Sequence, residues 1–167
     1  MVNWDTELMS AVSDLEVNMT SKQGKLWSLR YKVGDEHIVI ATTRPETLLG
    51  DTAIAVNPDD KRYKKLIGKQ AIVPLVNREV PIIADEYVDV DFGSGCVKIT
   101  PAHDFNDYEI GIKHSLEVIN CMNLDGTISN DDFIPKNLRG LDRFDARKIV
   151  IQELENLNQI EKIEDYT

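Results

Sequence analysis

Two cysteines, three histidines and no apolar run near the ~20 residues of a membrane span set the first limits on this 167-residue chain. Cys96 and Cys121 have no C-x-x-C spacing and no histidines beside them, so neither a disulfide framework nor a structural zinc site is indicated. Reduced, partly buried thiols are the plainer expectation. The start, Met1-Val2-Asn3-Trp4-Asp5, lacks the basic and apolar regions of a signal peptide, and nothing reads as a transit peptide, so a cytoplasmic protein with no membrane partner is expected. Positive charge is also short: 19 Lys and Arg against 29 Asp and Glu give a net charge of −10, which argues against a dedicated nucleic-acid-binding module. No Ser-His-Asp, Cys-His or G-x-S-x-G constellation occurs, and Gly93-Ser94-Gly95 fits neither the Walker nor the Rossmann pattern. A protein nucleophile is therefore not indicated, and any hydrolysis would use water.

The charge that is present is unevenly spread. Lys61, Arg62, Lys64, Lys65, Lys69 and Arg78 face only Glu79 over residues 61–80, whereas seven carboxylates from Asp85 to Glu109 face only Lys98. The first stretch could meet phosphates and the second a cation; solvated faces are the alternative. Residues Leu26 to Lys32 alternate, with Trp27, Leu29 and Tyr31 inward, and Gly34-Asp35 turns them into a second strand over 37–43, a hairpin. Further short strands are expected at 53–56, 71–76, 80–83 and 96–100. Ala146, Ile149, Val150, Leu154 and Leu157 form one helical stripe after Asp142, and a second helix runs from Phe105 to about His114 with Asp104 as its N-cap. No repeat or linker divides the chain. The expected fold is mainly β, a β-barrel core with a few peripheral α-helices, in a single domain over 1–167, with 1–17 and 159–167 as connections to a larger body.

Two segments could carry chemistry. Thr42-Thr43-Arg44-Pro45-Glu46-Thr47-Leu48-Leu49-Gly50-Asp51 gathers hydroxyls, a guanidinium and carboxylates where an apolar strand ends. It also reads as an ordinary helix start, with Thr43 and Glu46 as a capping box, Pro45 in the first turn and Gly50 as the stop. In Cys96-Val97-Lys98-Ile99-Thr100-Pro101-Ala102-His103-Asp104-Phe105-Asn106-Asp107, alternation puts Cys96, Lys98 and Thr100 on one face, ahead of an acidic turn. Helix capping would account for Asp104 and Asp107 without function. A metal site at His103-Asp104 is poorly supplied, because His37 and His114 are the only other histidines.

These segments, Ala41 to Ala53 and Val97 to Tyr108, resemble the two signature stretches of valyl-tRNA synthetase editing domains. The likeness extends to Asn3-Trp4-Asp5, Ala11 to Val17, Asn57 to Tyr63 and Gly140 to Arg143, and so covers nearly the whole chain. Leucyl enzymes resemble it in T-T-R-P-D-T and isoleucyl ones carry T-T-T-P-W-T; Glu46, Asp51, Lys98-Ile99-Thr100 and Phe105-Asn106 side with valyl. The synthetic motifs H-I-G-H and K-M-S-K-S are absent, so ATP would serve only a synthetic site elsewhere.

The resemblance implies a hydrolase that removes threonine from mischarged tRNA for valine, with the aminoacyl-adenylate as a second candidate substrate, by attack of water without a metal or other cofactor. Valyl enzymes are the known case in which a hydrophobic synthetic pocket rejects threonine by only about 10², so that a second, hydrolytic sieve is needed. By resemblance Asp107 anchors the substrate's α-ammonium, and Lys98 and Asp104 are the other catalytic candidates. Thr42, Thr43, Arg44, Glu46, Thr47, Asp51, Thr100 and His103 would bind or support the substrate, with Lys98 or a nearby acid on the threonine hydroxyl. The implied partners are the tRNA 3′ end and the amino acid, taken by a monomer. Rival readings are a non-catalytic module for the tRNA end, a leucyl- or isoleucyl-type editing domain, and a metal phosphohydrolase. Cys96, where a small residue such as alanine is expected, would trim the pocket.

Overall fold

Residues 24–166 are described in the structure, a computed structural model. Strand β1 (Gly24–Val33) runs antiparallel into β2 (Glu36–Thr42), pairing Trp27 with Thr42 and Val33 with Glu36. In the intervening Gly34-Asp35 only Gly34 has a positive φ, 60°. That is the type II′ arrangement, whose twist suits a two-residue hairpin. Strands β3 (Ala53–Val56), β4 (Gln70–Val73), β5 (Arg78–Ala84), β6 (Cys96–Ile99) and β7 (Ile160–Tyr166) follow. The sheet order is β2-β1-β4-β5-β3-β6, with β7 also on β1. Because the end strands β2 and β6 pack against each other, the sheet curls into a nearly closed barrel, as the many short strands foretold.

β3 lies parallel to β5 and antiparallel to β6, and all four of its residues are fully buried. Ile54 and Val56 enter the main core with Trp27, Leu29 and Tyr31; Ala53 and Ala55 meet Val88, Ile99 and Ile110 in a smaller cluster. A strand buried on both faces reads as a continuous apolar run, and Ala53-Ile54-Ala55-Val56 is one. The smaller cluster seats helix α1 (Phe105–Lys113), which Asp104 caps by accepting from the Asp107 N–H at 3.0 Å. Helix α2 (Arg143–Asn156) begins at Asp142 and buries Ala146, Val150 and Leu154. Leu157 falls beyond the stripe: it is the C-cap, 57% exposed.

Residues 160–166, expected as a connection, form β7 and pair antiparallel with β1 from Gly24–Tyr166 to Leu29–Ile160. Their polar sequence hid the strand, since exposed charges at Lys162, Glu164 and Asp165 leave little alternation. The 1–17 connection lies outside the described residues.

Candidate active site

β2 ends in a polar turn, and the turn is buried. Pro45–Gly50 forms a 3-10 helix with every residue buried. The Thr42 hydroxyl accepts from the Arg44 N–H at 3.0 Å, and the Arg44 guanidinium donates to the His103 carbonyl at 2.9 Å, tying this turn to the one after β6. Gly50 permits the approach of a third segment, because a Cβ there would stand 2.8 Å from the Ile119 carbonyl. On the other turn, Asp107 leans back from α1 so that its Oδ2 accepts from the Thr100 N–H at 2.9 Å and from the Thr100 hydroxyl at 3.3 Å. Among the described residues its Oδ1 meets no hydrogen-bond partner.

Between the two turns opens a cavity of about 240 Å³, lined by Thr42, Thr43, Arg44, Thr47, Lys98, Thr100, Asp104 and Asp107 together with Ala41, Tyr87, Phe92 and Val97. Pockets for drug-sized ligands run to roughly 300–1,000 Å³, so this volume suits a group smaller than a whole nucleotide. Lys98 lies in its floor with a side chain 5% exposed, its ammonium 2.5 Å from the Thr47 hydroxyl and 3.0 Å from Asp51 Oδ1. The Thr47 hydroxyl gives its one proton to the Arg44 carbonyl, 2.9 Å away, so it accepts from Lys98. Asp51 Oδ2 accepts from the Tyr31 hydroxyl at 2.6 Å.

Eight of the eleven residues named from sequence thus line one cavity; Glu46, Asp51 and His103 do not. The capping box does not form: Arg44 is the N-cap without a side-chain bond, and Glu46 turns inward to a bidentate pair with Arg147 of α2 at 2.7 and 2.9 Å. Asp51 is sealed beneath Lys98. The His103 ring accepts from the Cys121 N–H at 3.0 Å, which makes it a brace behind the cavity. Cys96 does not trim the pocket either. It is fully buried, with its N–H on the Ser94 hydroxyl, and it is not among the residues lining the cavity, whereas its neighbour Val97 is. Tyr31 and Arg147 were missed. Each had a signal: Tyr31 is a hydroxyl on the inward face of an alternating strand, and Arg147 stands beside the buried stripe of α2.

Burial, with the Asp104 charge nearby, pushes the Asp107 carboxyl up to about 7 against the pull of the Thr100 N–H and Lys98. Burial likewise raises Asp51 to about 6, although Lys98 and the Tyr31 hydrogen bond oppose it. Burial and then Asp51 hold the Tyr31 phenol well above its usual range, so it stays a donor. Burial, helped by Arg44 and Lys98, lowers His103 to about 3, leaving a neutral ring able to accept from Cys121. The lining pairs Arg44 and Lys98 with Asp104 and Asp107, and Asp51 beneath adds a further carboxylate. A small cationic group is the ligand such a balance favours. Among the described residues no three His, Cys, Asp or Glu side chains gather as a metal site.

A family model described as the leucyl-tRNA synthetase editing domain matches residues 64–138. The valine–tRNA ligase of Francisella tularensis is 55% identical over 166 residues, 98% of this chain and 18% of that protein. That of Dechloromonas aromatica is 54% identical over 164 residues, 97% of this chain and 17% of that protein. A crystal structure of the ternary complex of Agrobacterium radiobacter LeuRS with tRNA and LeuAMS superposes with a TM-score of 0.65 at 23% identity, covering 93% of this chain and 21% of that one. GlLeuRS-CP1 gives a TM-score of 0.64 at 13% identity, covering 86% of this chain and all of that one. The chain belongs to the editing-domain family of the class I aminoacyl-tRNA synthetases. Within that family it is of the valyl type, and it spans 18% and 17% of the length of these two ligases.

Proposed function

We propose that the cavity hydrolyses the ester that joins a wrongly attached amino acid, threonine foremost, to the 3′ end of the tRNA for valine. One observation carries the reading: a carboxylate at the head of α1, pinned through one oxygen, shares a small cavity with a lysine ammonium on the adjacent strand. The Asp107 Oδ1 takes the α-ammonium, a charge-assisted bond that also holds the carboxyl ionised. Lys98 keeps one of its three N–H groups beyond those given to Asp51 and Thr47, and that donor meets the threonine hydroxyl. A valyl group at the same place would leave the donor unpaired, a loss of about 1–3 kcal/mol, or roughly 5–150-fold.

Water then attacks the ester carbonyl carbon, the bond to the ribose oxygen breaks, and the ribose hydroxyl re-forms with a proton from the water. Asp104 Oδ2, without a hydrogen-bond partner among the described residues while Oδ1 caps the helix, is the acceptor that would orient that water. The same subsites would accept the aminoacyl-adenylate, which presents the same ammonium and side chain. No metal or other cofactor enters this proposal. The turn Lys61 to Lys69 supplies phosphate contacts weakened by salt.

Release of threonine from mischarged tRNA is the test. Asp107→Ala is expected to lower kcat/KM by about 10²-fold or more, since it removes a charge-assisted anchor and the orientation that depends on it. Unchanged release in Asp107→Ala would remove the site assignment; binding of the tRNA end without turnover by the wild type would favour a holding module instead.

A further inference from the structure

Stability alone is a weak reason for a buried charge at Lys98. A buried ion pair is weak evidence for stability, because apolar residues of similar volume often serve a core as well or better. Yet the interior commits three elements to this ammonium. Asp51 is fully buried and off the cavity lining, and its two oxygens are divided, Oδ1 to Lys98 at 3.0 Å and Oδ2 to Tyr31 at 2.6 Å. Tyr31, also fully buried, comes from β1, and its phenol can only donate to a carboxylate. From β5, Arg78 donates to the Asp51 carbonyl at 2.8 Å and fixes the main chain.

We propose that Tyr31 and Asp51 are positioning residues: together they hold the Lys98 ammonium in the cavity floor in one orientation, with a single N–H left for the bound aminoacyl group. The inference rests on the editing reading above. Its physical core is the division of labour on Asp51. With Oδ2 occupied by Tyr31, Lys98 meets one oxygen only and stays at the cavity surface. Without the tyrosine hydroxyl, Oδ2 would be an unpaired carboxylate oxygen in an apolar interior. The carboxylate would then turn both oxygens toward the ammonium and draw it away from the cavity.

Tyr31→Phe keeps the buried ring and deletes only the hydroxyl. Single-turnover release of threonine from mischarged tRNA is measured for the wild type, Tyr31→Phe, Lys98→Ala and the double variant, each checked for folding by circular dichroism. Tyr31→Phe is expected to slow release about tenfold, the scale of a lost hydrogen bond to a charged group. In the Lys98→Ala background the same change is expected to do nothing further, because the two residues act through one ammonium. Losses that multiply in the double variant, or a full rate in Tyr31→Phe, overturn the proposal. If Tyr31→Phe does not fold, Asp51→Asn, which preserves shape, is read through the same cycle with the same two outcomes. Failure of the editing reading looks different: the wild type releases nothing, or Lys98→Ala matches the wild-type rate.

Discussion

Glu46 and Asp51 are five residues apart, both fully buried and each paired with one cation, yet they are held in opposite ways. Arg147 meets both oxygens of Glu46, at 2.7 and 2.9 Å, and its guanidinium also lies over the rings of Trp27 at 5.8 Å and Phe144 at 5.2 Å. That contact closes on itself, a planar fork against a planar carboxylate. Lys98 touches Asp51 at one oxygen, shares itself with the Thr47 hydroxyl, and lines the cavity. A saturated pair binds α2 to the turn after β2, and an unsaturated one leaves donor capacity facing the cavity. The difference teaches that burial and charge alone do not single out a candidate functional residue; spare hydrogen-bonding capacity toward a cavity is the feature that sets Lys98 apart.

The largest expected effect is on stability, at the saturated pair. Arg147→Ala strands a fully buried carboxylate, and breaking a buried pair from one side costs about 3–5 kcal/mol. The midpoint of urea unfolding reads it, and the folded fraction is expected to release threonine at nearly the wild-type rate. A deacylation rate that collapses while the urea midpoint holds would erase the distinction between the two pairs. Next comes replacement of each pair by neutral residues of similar shape, which removes the stranded charge. Glu46→Gln with Arg147→Met is expected to keep turnover. Asp51→Asn with Lys98→Met is expected to keep most of the stability and lose about 10²-fold in kcat/KM, since no ammonium then meets the substrate. Equal turnover in the two doubles would break the comparison.

Much of this arrangement was legible in the residues. Alternation at Trp27, Leu29 and Tyr31 placed β1, Gly34-Asp35 placed the hairpin, and Asp104 with Asp107 placed the head of α1, all local signals that the structure bears out. What stayed hidden was pairing across distance. Thr43 and Glu46 have capping-box spacing, but Glu46 found Arg147, 101 residues away, and the turn was buried as a 3-10 helix instead. β7 escaped because it is an edge strand with charged residues where alternation would show. The division of Asp51 between Tyr31 and Lys98 joins residues 20 and 47 positions away, which no periodicity reports.

The smallest expected effect is a slope with pH, and it contrasts Asp107 at the rim with the pairs below. Its carboxyl is pushed up to about 7 in the folded chain from an ordinary 3.8, first by burial and then by Asp104. Between those values the folded state holds more protons at this group than the unfolded state, so its contribution to stability is present at low pH and lost as pH rises through about 7. Relative to Asp107→Asn, the wild type is therefore expected to lose ground in urea midpoint from pH 4 to pH 8, the reverse of a salt-bridged carboxylate. Turnover runs the other way. In the proposed reaction an ionised Asp107 receives the ammonium, so kcat/KM is expected to fall on acidification below about pH 7. kcat is expected to change less, because the bound ammonium keeps the carboxyl ionised. A midpoint difference between wild type and Asp107→Asn that does not vary with pH would show that the carboxyl is not desolvated in the empty cavity, and the rim would then differ from the floor in position only.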